Sequence, residues 1–461
     1  LPFTLWHYAL MKKVIDMQQW ISGLSETPWH SPRWLWWVGI TSLAIYAALR
    51  LLWPELGELG GTVMGLLGLG CVLACGKGPR SSAALWLLLA AVVIQLITWT
   101  LGFWHHPEWV PDNPQLDRMA KWFLFIGVAW WLGGSTRATL AIWGLALFGF
   151  LLTTLLTGGG GAQWLAGFQG YRIDFDLQNA QHTAMFFGTA LLGVLAFSRR
   201  LLIPGAWAAA RRIIWVAALG MCTSGVAITQ TRAVWLAVLL VLPCMAAIYL
   251  FWNYSQRHSN SARKVTVALL LGGAIVLSLI GVTFHDGIER RIVKEKETLV
   301  ELLEGNIDAV PYTSSIGNRV YTWIAAAEWI HERPLIGWGE NGRSLVIQET
   351  EWLPEYTREH YGHLHNTFLE VFVSYGLMGV GLLAALAWWI GWGTWRAWRG
   401  GVMPGDMALF GFSFFIFWVV VNQFEAYLSF WSGVYVHNLI VGGLVTHIWR
   451  WQREQCLIRS G

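Results

Sequence analysis

Apolar windows of about 20 residues recur along almost the whole chain, and they constrain the fold more than any motif does. Read as helix, a window of that length crosses the hydrocarbon core of a bilayer. Inside lipid the backbone must satisfy its own N–H and C=O groups, so such segments are held to helices. Twelve windows are read as spans: 34–53, 59–75, 82–104, 118–133, 138–157, 182–198, 213–229, 233–252, 265–284, 366–392, 406–424 and 432–449. The second and fourth are short or rich in glycine. The expected class is an all-α polytopic membrane protein with about 12 transmembrane helices. Composition agrees: 55% of the residues are apolar and 13% charged, whereas a soluble domain carries about 25% charged residues.

The distribution of Lys and Arg sets the expected orientation. With the N-terminus inside, Lys12, Lys13, Lys77, Arg80, Arg199, Arg200, Arg211, Arg212, Arg396, Arg399, Arg450 and Arg453 all fall on the cytoplasmic side. The short outer connections hold few basic residues. The expected domains are a cytoplasmic segment 1–33, spans one to nine over 34–284, a large outer loop 285–365, spans ten to twelve over 366–449, and a cytoplasmic tail 450–461. Residues 1–10 precede Met11-Lys12-Lys13, which reads as the natural start. In the outer loop, 289–304 reads as a solvated helix. Residues 318–332 read as an amphipathic one, with Trp323, Ile324, Ala327 and Ile330 as an apolar stripe that rests on the membrane face or on other helices.

The 33 tryptophans suit interfacial belts, where an amphipathic ring meets both lipid and water; they also suit stacking on sugars. The five cysteines lie in apolar runs or near the C-terminus and suggest no disulfide framework. Nothing in the chain points to nucleic acid.

Three outer-face features carry chemistry. Arg232, in Thr229-Gln-Thr-Arg-Ala-Val-Trp-Leu236, sits where two spans meet the outer surface. A guanidinium there is either an interfacial anchor or a grip on phosphate. Arg319 opens the amphipathic loop helix and is either a solvated arginine or a second phosphate ligand. The third feature is His363-Leu-His365-Asn366, directly before the tenth span, where a neutral imidazole at the water boundary is placed to take a proton from a hydroxyl. Asn366 either orients that ring or caps the helix. A metal site built from His360, His363 and His365 has loose spacing and no posed acid, and no metal is assigned. Arg172, after the flexible connection expected at Gly158–Gly161, is a third arginine for the anionic site, and Gln178, Asn179 and His182 are polar at the same level. His437-Asn438 reads as structural.

His365-Asn366, nine residues, then Gly376-Leu-Met-Gly379 resembles the histidine signature of the O-antigen ligase and polymerase superfamily. The segments around Arg232 and Arg319 resemble its arginine motifs. The resemblance implies a GT-C-type glycosyltransferase fold with one large periplasmic loop, in the bacterial inner membrane, with the active site facing the periplasm. It implies transfer of a glycan from undecaprenyl diphosphate, without nucleotide sugar, ATP or other cofactor. It also implies that Arg232 and Arg319 bind the donor diphosphate, with Arg172 as a further candidate, and that His365 is the general base, supported by His363 and Asn366. Within the superfamily the signature favours a ligase acting on lipid A-core over a polymerase or a protein O-oligosaccharyltransferase. A transporter, the reading from a different class, predicts charged or broken-helix sites near the bilayer midplane; here the polar residues gather at the outer face.

Overall fold

The computed structural model describes residues 29, 31–205, 207–255, 296, 298 and 300–460, and every regular element among them is helical. The principal helices are α1 (Arg33–Leu49), α2 (Pro54–Cys75), α3 (Ala83–His105), α4 (Phe125–Leu132), α5 (Thr136–Leu156), α6 (Ala180–Ala196), α7 (Ala208–Ile228), α8 (Arg232–Ser255), α9 (Ser315–Glu332), α10 (Gly342–Glu349), α11 (Thr367–Arg399), α12 (Gly405–Val421) and α13 (Trp431–Ser460). Six are long and apolar enough to cross a membrane: α2, α3, α5, α7, the Arg232–Leu250 part of α8, and α11; α6 and α12 are shorter apolar helices. The chain is a polytopic helical membrane protein. Each predicted window coincides with helix except the ninth, 265–284, which lies outside the described residues, as do residues 1–28 and most of 289–304. The segment 450–461, expected as a tail, continues α13 as far as Ser460.

The fourth window is not a continuous helix. Asp117–Ala120 passes into a 3-10 turn, Lys121–Phe123, before α4 begins, and the whole of α4 is buried. The break is tolerated because a neighbour supplies the missing hydrogen bonds. The side-chain oxygen of Asn438 accepts from the Phe125 amide at 2.6 Å, its amide nitrogen donates to Lys121 O at 2.9 Å, and His437 Nε2 lies 3.0 Å from Trp122 O. The pair read as structural thus satisfies a backbone that lipid would leave unpaired.

Packing uses small residues where backbones approach. A Cβ on Gly68 of α2 would stand 2.5 Å from the Cα of Gly127 in α4, the close approach that drives association of membrane helices. The tryptophans divide into two populations. Trp34, Trp53, Trp86, Trp104 and Trp207 are exposed near helix ends, as a belt requires, but Trp130, Trp131 and Trp449 are fully buried. The buried rings staple helices through the indole N–H, as Trp131 does to Met64 O at 2.9 Å and Trp143 to Leu439 O at 2.9 Å.

A second, smaller apolar core lies beneath the loop between α8 and α11, formed by Ala325, Ala326, Trp338, Val346, Ile347, Leu353, Leu364 and Val373. The expected stripe of α9 meets it in part, since Ile330 packs against this core. The buried face is Asn318, Thr322, Ala325 and Ala326, while Ala327 is exposed. Short side chains let α9 sit close against α10 and α11, and the bulkier Trp323 and Ile324 are only half-buried.

The loop is also threaded into α11. Gly376 takes φ 60 and ψ −157 and interrupts that helix. The groups released by the break are satisfied by the strap 334–339. Trp338 N donates to Val373 O (2.8 Å), Gly339 N to Ser374 O (2.8 Å), Leu377 N to Pro334 O (2.8 Å) and Met378 N to Leu335 O (3.2 Å). A Cβ at Gly376 would lie 2.3 Å from the Leu335 carbonyl carbon. The glycine therefore permits both the left-handed backbone and the contact.

Candidate functional site

Three arginines from separate parts of the chain line one cavity of about 710 Å³ at the loop end of the bundle, together with Gln181, Gln230, Ser315, Trp323 and Phe424. Arg232 is there because it is the first residue of α8, just past a tight turn in which Gln230 takes φ 48 and donates from its side chain to Gly170 O at 2.8 Å. Arg172 reaches the same turn, with its Nε 3.4 Å from Thr229 O. Arg319 arrives from the first turn and a half of α9, whose N-cap Ser314 accepts from Gly317 N. Its Nη1 donates to the hydroxyl of Ser315 at 2.7 Å, and its Nη2 lies 3.4 Å from Phe424 O. Such a concentration of guanidinium groups suits an anion with several oxygens. The connection at Gly158–Gly161, expected to be flexible, is a tight turn held by the side chain of Gln163, which bonds Gly158 O and accepts from Phe175 N.

The histidines stand behind the cavity wall. Neither His363 nor His365 lines the cavity; the connection runs through Phe424, which does, to the next residue, Glu425. His365 Nδ1 lies 3.2 Å from Glu425 Oε2. His363 Nδ1 lies 3.6 Å from both Glu425 Oε1 and Glu370 Oε1, and the two imidazole centroids are 4.0 Å apart. Glu425 is 1% and Glu370 3% exposed. Burial pushes the Glu425 carboxyl up, but the hydrogen bond from His365 and the charges of His365, His363 and His182 outweigh it and hold it down at about 2. With Nδ1–H committed to that carboxylate, Nε2 of His365 carries the lone pair, which is the tautomer a base requires.

The local backbone is built for this pose. His365 itself has φ 52, a conformation non-glycine residues seldom adopt and one that marks functional positions when the surroundings enforce it. They do so here. Trp323 Nε1 donates to Leu364 O (2.9 Å), Leu364 N donates to Glu370 Oε1 (3.1 Å), and Thr367 N donates to Asn422 O (2.9 Å). Asn366 caps α11, accepting from the amides of Phe368 at 3.0 Å and Leu369 at 3.2 Å, and its side-chain contact is with Gln423 rather than with an imidazole. Such a cap contributes about 1 kcal/mol.

Glu370 and Glu425 are not among the residues that the sequence motifs single out. An acid five residues into an apolar window, as Glu370 is, carries a signal by itself, because a carboxylate in a span is retained only with partners. Glu370 has them: Ser429 Oγ at 2.8 Å and Arg343 Nη1 at 3.4 Å. Beyond Arg343 lies Glu340, whose pKa is raised by burial against the opposing hydrogen bond from Tyr375 and the charges of Arg118, Arg343 and Lys121. His360 does not join the other histidines; its ring stacks on Tyr356, with Nδ1 3.0 Å from Tyr356 O. The set able to hold a cation is instead His363, His365 and Glu425, whose ligand atoms lie within 4.8 Å of one another. His182 is fully buried against Tyr427 and Phe430.

Residues 216–384 match the family model described as O-antigen ligase. Over that part of its length the chain is similar to the O-antigen ligase family. The matched region holds Arg232, Arg319, His363, His365, Asn366 and Glu370, and Arg172 and Glu425 lie outside it. A relative, an uncharacterised protein of Haemophilus influenzae, is 29% identical over 157 residues, which are 33% of this chain and 36% of that protein. The chain thus aligns with little more than a third of that relative's length.

Proposed function

We propose that this protein is an O-antigen ligase, transferring a polysaccharide from undecaprenyl diphosphate to a sugar hydroxyl of lipid A-core on the periplasmic face of the inner membrane. One observation supports this reading above the others: three arginines share a cavity whose wall residue Phe424 adjoins Glu425, the carboxylate that holds His365. Arg172, Arg232 and Arg319 grip the donor diphosphate. His365 Nε2 accepts the proton of the acceptor hydroxyl as its oxygen bonds to the anomeric carbon. The bond from that carbon to the phosphate oxygen breaks, and undecaprenyl diphosphate leaves as the anion. The arginines stabilise the charge that develops on the leaving group, and Glu425 stabilises the imidazolium, as a buried carboxylate does beneath a catalytic histidine. Attack opposite the leaving group inverts the anomeric configuration. Diphosphate is already a good leaving group, so the scheme calls on no ATP, metal or other cofactor.

The test is transfer by purified protein from undecaprenyl-diphosphate glycan to lipid A-core, with chelator present and no ATP, resolved on a gel. Glycan on lipid A-core is the expected result. Longer chains on the undecaprenyl carrier alone would replace the ligase with a polymerase, and transfer only to a protein acceptor would replace it with a protein O-oligosaccharyltransferase.

A further inference from the structure

A run of aromatic rings leads away from His365 across the loop surface. Tyr361 meets His365 with centroids 6.2 Å apart, Tyr356 meets Tyr361 at 6.3 Å, and Tyr312 meets Tyr356 at 6.4 Å. His360 stacks on Tyr356 at 4.4 Å with planes 22° apart. The outer members are open: Tyr312 and Tyr356 are each 42% exposed, and His360 is exposed. Tyr361 packs against the small core beneath the loop, whereas Tyr312, Tyr356 and His360 are not among its residues, so core packing leaves these three outer rings unexplained. Exposed carboxylates, Glu355 and Glu359, interleave with them on the same short helix.

We infer that this run is the acceptor-glycan platform, on which sugar rings stack with the attacking sugar nearest His365. The inference rests on the ligase reading. Its chemistry is that of a hydroxyl-rich ring with an apolar face. Tyrosine offers a flat apolar surface, a phenolic hydroxyl for hydrogen bonding and little side-chain entropy to lose. The neighbouring carboxylates and imidazole accept or donate to sugar hydroxyls. The acceptor is favoured over the donor by position: the rings hang from the base that meets the attacking hydroxyl, and none of Tyr312, Tyr356, Tyr361 or His365 lines the arginine cavity.

The experiment uses full-length protein in detergent and two probes, the lipid-free core oligosaccharide and the lipid-free O-polysaccharide repeat, with binding measured by calorimetry. Tyr356→Ala removes an exposed side chain and should weaken core oligosaccharide binding about tenfold, with Tyr356→Trp restoring it and the O-polysaccharide repeat indifferent to both. In transfer assays the acceptor KM should rise with kcat and donor KM unchanged. Unaltered core binding in Tyr356→Ala would overturn the platform, and a loss confined to the O-polysaccharide repeat would overturn its assignment to the acceptor. Calorimetry needs no turnover. Core binding that depends on Tyr356 in a protein showing no ligase activity would therefore keep the glycan platform while removing the reaction proposed above.

Discussion

His365 Nδ1 stands 3.2 Å from Oε2 of Glu425, a carboxylate 1% exposed, and Oε1 of the same carboxylate accepts from the Ala426 amide at 3.0 Å. The acid is held by its own backbone, so it fixes the ring rather than following it. That arrangement separates two roles. His365→Ala removes the proposed base and should lower transfer by about 10²–10⁴-fold while leaving the protein inserted and folded. Glu425→Gln keeps the shape but releases the tautomer, and kcat should fall by up to about 10⁴-fold with donor KM little changed. Steady-state kinetics of both variants check this, and full activity in His365→Ala would remove the base assignment.

The same pair makes a statement about stability in acid. Glu425 is held at about 2 in the folded protein, below the ordinary carboxylate value of 4.5. A carboxyl depressed by folding adds stability that is complete above its unfolded pKa and is lost as pH falls toward the folded one. The window is therefore from about 4.5 down to about 2. Glu340, raised by burial, contributes with the opposite sign, so the difference between wild type and a variant is the informative quantity. Thermal unfolding in detergent should show wild type losing more stability than Glu425→Gln between about pH 5 and pH 3. Parallel losses in the two proteins would contradict the depressed carboxyl.

The arginines divide from the histidines by which kinetic constant they move. Each charge-assisted hydrogen bond to phosphate is worth a few kcal/mol at most, so Arg232→Ala, Arg319→Ala and Arg172→Ala should each raise donor KM about ten- to a hundredfold. Lysine at the same positions should recover only part of the loss, because it keeps the charge but not the planar fork. Titration of donor at saturating acceptor distinguishes this from a structural role, in which Lys and Ala variants would lose expression together.

Much of the fold is legible in the sequence alone. Hydrophobic windows of membrane length locate helices because lipid leaves the backbone no other solution, and the bounds of α3, α6 and α12 fall within a few residues of the windows that predict them. The break before α4 is not legible. Its hydrogen bonds come from His437 and Asn438, more than 300 residues later, and local composition carries no trace of a distant partner. Arg172 and Arg232 are visible as charges at span mouths and Arg319 as the start of the amphipathic loop helix, but that they share a cavity depends on how three separate segments pack. Glu425 is hidden for a different reason. A lone acid between two spans looks like solvated loop, and only the fold turns Asn422–Glu425 inward against Thr367 and His365. For α9 the pattern finds Trp323, Ile324 and Ile330, which are half-buried, and misses the fully buried Asn318, Thr322, Ala325 and Ala326, because large apolar side chains weigh most in a helical periodicity, whereas close packing against α10 and α11 selects the small ones.

Gly376 tests the link between the loop and the site. Its φ of 60, and the 2.3 Å that would separate an added methyl group from the Leu335 carbonyl carbon, leave Gly376→Ala two unfavourable choices. The helix can straighten, which frees the four hydrogen bonds between 334–339 and α11, or the strap can lift. A non-glycine residue in such a backbone costs about 1–3 kcal/mol, and the clash adds to it. The first half of α11 carries Glu370 and is capped by Asn366, and these set the His363–His365 segment. The variant should therefore lose thermal stability, and its kcat should fall without any substrate contact having been removed. Gly381→Ala is the control on the same helix: a Cβ at Gly381 would meet nothing within 4 Å, and Gly381 does not hold the strap, so its effect on kcat should be smaller. Equal kcat in Gly376→Ala and wild type, at temperatures where both are folded, would show that the strap stabilises the protein without aligning the histidines.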